Sequence, residues 1–158
     1  MDLILFDTPV GAIGLEEENG AIVRLLLPGA PVPRIACHET PLLTEGKRQL
    51  LEYLAGVRRV FDLPLAPKGT EFYRSVWRAL EEIPYGETRS YRDIAQAVGR
   101  PKAVRAVGQA NHNNPIPIII PCHRVVGANG SLTGYGGGLD LKERLLRLEA
   151  GVVEGKEH

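Results

Sequence analysis

The chain has 158 residues, 44% of them hydrophobic and 24% charged, with 19 basic and 19 acidic side chains and a net charge of zero. That balance fits one domain or two small ones and excludes a disordered or collagen-like chain. No apolar stretch reaches the ~18 residues needed to cross a bilayer, and the opening Met1-Asp2-Leu3-Ile4-Leu5-Phe6-Asp7 lacks the basic start of a signal peptide. Two cysteines, Cys37 and Cys122, cannot staple a secreted scaffold, so the expected compartment is the cytoplasm.

The first third reads as strands. Leu3-Ile4-Leu5-Phe6 is a short apolar run, and Val10-Gly11-Ala12-Ile13-Gly14-Leu15 follows a Thr-Pro turn. Glu18-Asn19-Gly20 signals a hairpin, because Asn-Gly accepts positive φ at low cost, and residues 21–27 pair back. The proline-rich stretch 28–33 is a loop. Thr40 then caps a helix with Pro41 at its first position and Leu42, Leu43, Leu50, Leu51 and Leu54 on one stripe, ending near Gly56. Residues 57–65 read as a last strand. The domain boundary is expected after residue 66, giving units 1–66 and 67–158.

The remainder reads as helices. Thr70 caps a segment in which Phe72, Val76, Trp77, Leu80 and Ile83 fall at helical spacing, stopped by Pro84. Ser90-Tyr91-Arg92-Asp93 is a capping box with Asp in the usual Glu place, opening a short helix over 91–97 that Gly99 ends. Pro101 is expected to start a second helix carrying Ala103, Val104, Val107 and Ala110. Two short helices across a tight glycine-containing turn have the outline of a helix-turn-helix. An apolar run, Ile116-Pro117-Ile118-Ile119-Ile120, leads into Pro121-Cys122-His123-Arg124-Val125-Val126. Residues 127–138 hold six glycines and form a loop, after which Asp140 caps a final helix over 141–150 that Gly151 closes.

Charge is unevenly spread. Residues 88–124 carry Arg89, Arg92, Arg100, Lys102, Arg105 and Arg124 against Asp93 alone, a local excess of five positive charges on a neutral chain. Such a block suits a phosphate backbone, although a solvated arginine-rich surface has the same composition. Cys122 ends a stiff apolar run, His123 follows it, and Glu149 lies in the last helix. A thiol beside His and a carboxylate can be activated as a nucleophile; a buried, inert cysteine is the alternative. Cys37-His38 lacks the apolar lead-in and reads as incidental. The Cys and His residues do not have the spacing of a zinc site, and neither metal nor cofactor is expected.

Taken together, these stretches resemble the DNA 6-O-alkylguanine alkyltransferases, also called methylated-DNA–protein-cysteine methyltransferases. The resemblance runs from about residue 70 to 151. It rests on Ile83-Pro84-Tyr85-Gly86-Glu87, Ser90-Tyr91, Lys102-Ala103-Val104-Arg105-Ala106-Val107-Gly108, Asn114-Pro115 with Pro117, Ile120-Pro121-Cys122-His123-Arg124-Val125-Val126, Gly134-Tyr135 with Gly137-Gly138, and Lys142-Glu143 with Leu145-Leu146 and Glu149.

The resemblance implies an α+β fold: a small N-terminal ribonuclease H-like α/β domain with an antiparallel sheet, then a mainly helical, winged-helix-like domain. It implies stoichiometric, irreversible transfer of the alkyl group from 6-O-alkylguanine in double-stranded DNA, and from 4-O-alkylthymine, to Cys122 held as a thiolate. His123 would be the base, Glu149 would orient it, and Asn114 would brace both. Tyr91 would donate to the ring nitrogen of the leaving base, and the N–H of Gly136 to its departing oxygen. Pro117, Val125, Tyr135, Gly136 and Gly137 would line the base pocket, with the carbonyls of Cys122 and Val125 accepting from the exocyclic amine. Arg105 would fill the gap left by the flipped base, while Ala103, Ala106 and Gly108 let its helix lie in the minor groove. The protein would act as a monomer without membrane contact. Three other readings stay open: a lesion sensor that performs no transfer, a helix-turn-helix transcription regulator with an inert thiol, and a cysteine hydrolase, which would turn over and need an oxyanion hole.

Overall fold

The computed structural model describes residues 1–135 and 137–153. The chain is a mixed α+β protein whose elements are β1 (Asp2–Thr8), β2 (Gly11–Glu18), β3 (Ala21–Leu26), α1 (Pro41–Leu54), α2 (Glu71–Glu81), β4 (Arg89–Ser90), α3 (Tyr91–Ala97), α4 (Val104–His112), a 3-10 turn (Cys122–Arg124), β5 (Val125–Val126) and α5 (Leu139–Val153). It divides into two compact units, Met1–Lys68 and the residues from Gly69 onward. No helix of the described residues is long and apolar enough to cross a membrane.

In the first unit β1, β2 and β3 form an antiparallel meander. Phe6 sits opposite Ile13, Ile4 opposite Leu15, and Leu15 opposite Leu25. The β2–β3 turn has Asn19 at φ 53° and Gly20 at φ 80°, the left-handed pair whose twist matches the flanking strands. Thr40 caps α1 by accepting from the Leu43 N–H at 3.1 Å. Leu43, Leu50 and Tyr53 then cover the sheet, wholly buried. The strand expected over 57–65 does not form. That segment keeps one parallel bridge, Ile22 to Leu65. Pro64 has no N–H to give, and the Asp62 N–H goes to Gln49 Oε1 of α1 at 2.8 Å instead.

In the second unit α2 buries Val76, Trp77 and Leu80, and Trp77 Nε1 donates to the Ala110 carbonyl of α4 at 2.8 Å. Ser90 and Asp93 form the reciprocal capping box at the start of α3, at 3.0 and 2.9 Å. The helix expected from Pro101 begins instead at Val104. Pro101 stands inside a turn closed by the Ala103 N–H on the Arg100 carbonyl at 2.9 Å, where a fixed φ suits the second turn position. Likewise α5 starts at Leu139 and passes through Gly151, so Asp140 lies in its first turn rather than capping it. The parallel pair β4–β5 sets Arg89 against Val125 and Ser90 against Val126. The start of α3 is thereby registered against the strand that follows Cys122.

Candidate active site

The apolar run into Cys122 is a folded plug, not an extended strand. Residues 116–120 are buried, and Ile118 adopts φ 74° in a tight turn closed by the Ile119 N–H on the Pro117 carbonyl at 2.9 Å. A β-branched residue at positive φ costs of order 1–3 kcal/mol and persists only where packing imposes it. Asn114 spans this plug: its Oδ1 accepts from the Ile116 N–H at 3.0 Å and its Nδ2 donates to the Ile120 carbonyl at 2.8 Å. It also favours the ionised form of the Cys122 thiol. Cys122 then opens the 3-10 turn, only 4% exposed.

Glu149 reaches this turn from α5 and collects four donors. Oε1 accepts from Arg124 Nε at 2.8 Å and from the Gly86 N–H at 3.1 Å. Oε2 lies 2.7 Å from His123 Nε2 and accepts from Arg124 Nη2 at 3.0 Å. Burial pushes the Glu149 carboxyl up, but His123 and Arg124 outweigh it and bring it down to about 2. An ionised carboxylate only accepts, so the His123 proton sits on Nε2 and the basic lone pair on Nδ1. Burial holds His123 below the ordinary imidazole range despite Glu149, so it is neutral at pH 7. Gly86 donates its N–H from φ 82°, and a Cβ there would lie 2.4 Å from Val153 Cγ2, so the position demands glycine.

Burial pushes the Cys122 thiol up to about 11, against the opposing pull of Asn114 and of the Lys142 charge. Burial therefore opposes the thiolate that the transfer needs. Lys142 is wholly buried on α5, donating through Nζ to the Val125 carbonyl at 2.6 Å and the Thr133 carbonyl at 3.2 Å. The Val125 carbonyl therefore already has one donor. Tyr135 is buried in electrostatic range of Cys122, with no hydrogen bond to its Oη among the described residues. Tyr91, at the start of α3, shares a hydrogen bond with Thr133 Oγ1.

On α4, Arg105 is exposed, and with Tyr91, Val104, Gly108, Gln109 and His112 it lines an open, mainly apolar groove of about 420 Å³. Ala103 and Ala106 are half-buried at the start of the same helix. Arg92, Arg100 and Lys102 are exposed and Arg89 is partly exposed, but Arg124 is buried. Its charge is spent on Glu149, so the basic face is one charge smaller than composition indicates. Pro117 is buried and Gly137 is half-buried. Gly136 lies outside the described residues. Cys37 is exposed in a loop of the first unit. No cluster of three or more His, Cys, Asp or Glu able to hold a metal occurs among the described residues.

Sequence reasoning placed Cys122, His123, Glu149 and Asn114, and the structure brings them together. It missed the inward Arg124, the buried Lys142, Thr133 and the Gly86 N–H. Gly86, Arg124 and Lys142 stand in stretches that carry the resemblance, but no role was attached to them; Thr133 had no signal.

Residues 71–151 match the family model described as 6-O-methylguanine DNA methyltransferase, DNA binding domain. The chain is 53% identical over 151 residues to a constitutive methylated-DNA–protein-cysteine methyltransferase of Bacillus subtilis, covering 90% of this chain and 92% of that one. It is 53% identical over 149 residues to a methylated-DNA–protein-cysteine methyltransferase of Methanosarcina acetivorans, covering 92% and 96%. Among solved structures it is similar to Mycobacterium tuberculosis OGT in complex with DNA, with a TM-score of 0.88 and 44% identity over 96% of this chain and 94% of that one.

Proposed function

The chain belongs to the methylated-DNA–protein-cysteine methyltransferase family, and from that membership we propose a residue-level account of direct DNA repair with Cys122 as the acceptor. The activity is transfer of an alkyl group from the 6-oxygen of guanine in DNA to a cysteine of the protein itself. The observation that carries the assignment is the fourfold-anchored Glu149 holding neutral His123 beside the plug that presents Cys122.

Duplex DNA lies along α4, and the damaged base turns out of the stack while Arg105 takes its place. Arg89, Arg92, Arg100 and Lys102 supply phosphate affinity without reading sequence. The base enters beside Pro117, Val125, Tyr135 and the glycine-rich segment that includes Gly136 and Gly137. A thiol near pKa 11 is a poor nucleophile, so deprotonation belongs to the complex, not to the resting protein. His123 Nδ1 takes the proton, directly or through a water, and ionised Glu149 stabilises the resulting imidazolium. Sγ attacks the alkyl carbon in line, the carbon–oxygen bond breaks, and its electron pair leaves with guanine as Tyr91 supplies a proton to the ring. The product thioether is not hydrolysed by ordinary side chains, so each molecule acts once. The same chemistry extends to 4-O-alkylthymine.

The finer fold assignment belongs to this reading. A meander followed by α1 has the outline of a ribonuclease H-like unit, and α2–α4 with the β4–β5 pair that of a winged-helix-like one. A cytoplasmic monomer fits a single-use reagent. The test is transfer from DNA carrying a labelled methyl on guanine: label should move to protein up to one per chain and then stop. Continued turnover, or binding without transfer, would overturn the proposal.

A further inference from the structure

Thr133 has no part in the chemistry above, yet both its polar ends are engaged. Its Oγ1 shares a hydrogen bond with Tyr91 Oη, and its carbonyl accepts from Lys142 Nζ at 3.2 Å. Lys142 is wholly buried and holds the Val125 carbonyl at 2.6 Å through the same ammonium. A continuous path therefore runs from the strand after Cys122, through Lys142 and Thr133, to the Tyr91 hydroxyl. We propose that Thr133 is a positioning residue for alkyl transfer: its hydroxyl donates to Tyr91 Oη and so frees the phenolic hydrogen for the leaving base.

The argument rests on the reading above in which Tyr91 faces the extruded base. A phenol has one hydrogen to give, and so has a threonine hydroxyl. If Tyr91 gives its hydrogen to Thr133, none remains for guanine. If Thr133 donates instead, the phenolic hydrogen is released, and the donor on its oxygen stabilises the charge that grows there as the proton departs. Lys142 fixes the Thr133 backbone, so the hydroxyl stays in reach of Tyr91 before substrate arrives. In the balanced step Sγ–C forms, C–O6 breaks and the electron pair goes to guanine. The Tyr91 proton moves to the ring nitrogen, and Tyr91 recovers a proton from solvent to replace the one that Cys122 has released through His123. Thr133 keeps its own proton throughout.

The test compares single-turnover methyl transfer from a 6-O-methylguanine duplex for the wild-type chain, Thr133→Val, Thr133→Ser, Tyr91→Phe and the Thr133→Val/Tyr91→Phe pair. Thr133→Val should slow transfer about tenfold at saturating duplex, the size of one net hydrogen bond, with duplex affinity within about twofold. Thr133→Ser should stay within about threefold of wild type, and the double variant should be no slower than Tyr91→Phe alone, because the threonine acts only through the phenol. Wild-type speed for Thr133→Val, no rescue by serine, or multiplying losses in the pair would overturn the proposal. If Thr133→Val melts below the assay temperature, Thr133→Ala replaces it under the same criteria. Absence of methyl transfer by the wild-type chain would sink the functional reading instead, a distinct result.

Discussion

Glu149 shows how much of the site depends on one carboxylate. Its two oxygens hold His123, the Arg124 guanidinium and the Gly86 N–H, all within a nearly solvent-free interior. Replacing it by glutamine keeps the shape but removes the charge that compensates buried Arg124. Glu149→Gln is expected to lose about 3–5 kcal/mol of stability, the cost of stranding one partner of a buried pair, visible as a lowered denaturation midpoint. A loss under about 1 kcal/mol would mean that Arg124 finds another partner. The same residues mark what the sequence could disclose. Cys122, His123 and Glu149 were legible as types able to make a relay, and their neighbours supplied the resemblance. Arg124 was not legible, because a charge count carries no depth: it stands in the basic block of 88–124, yet its guanidinium is buried against Glu149. Nor was the state of the thiol, since burial, not the adjacent histidine, dominates its proton affinity.

At the scale of elements, local signals succeeded where a backbone bond is satisfied by a near neighbour. Thr40, Thr70 and the Ser90–Asp93 box all cap the helices expected of them. Expectations failed where the partner is distant in sequence, or where one residue suits two local conformations. The segment 57–65 has strand-like residues, but Gln49 takes the Asp62 backbone through both its amide oxygen and its amide nitrogen, so no ladder forms. Pro101 can open a helix or occupy a turn, and only the Arg100–Ala103 closure decides between them. The α3–α4 pair carries the most specific functional expectation. Arg105 lies on the exposed side of α4, beside the groove it shares with Tyr91. If it occupies the gap in the stack, Arg105→Ala should slow repair of duplex DNA by tenfold or more, for a base-flipping cost of a few kcal/mol, while leaving reaction with free 6-O-alkylated guanine within about twofold. Equal losses on both substrates would assign Arg105 to folding or to the base pocket.

For the whole molecule, buried titratable groups set a pH window. The Glu149 carboxyl is lowered from its ordinary 4.5 to about 2, and burial also lowers His123. Both groups bind protons more readily when unfolded, so their contribution is full above the ordinary histidine range. It is lost as pH falls, first through His123 and then from pH 4.5 towards 2 through Glu149. Cys122 has the opposite sign. Its thiol is raised from 9.0 to about 11, so its contribution is full below pH 9 and disappears between pH 9 and 11. That alkaline loss amounts to roughly 2–3 kcal/mol. Denaturation curves of the wild-type chain and Cys122→Ser should therefore converge in shape below pH 9 and separate above it, with the serine variant losing less. Parallel curves through pH 11 would show that the thiol is not the titrating group.

Everything assigned to His123, Glu149, Tyr91 and Thr133 presupposes where the alkyl group lands. Peptide mapping by mass spectrometry after reaction with duplex DNA carrying 6-O-methylguanine decides it. One methyl on the Cys122 peptide is expected, with Cys37, exposed in its loop, left unmodified. A methyl on Cys37 or on any other residue, or an unmodified Cys122 beside DNA that has lost its lesion, would contradict the assignment.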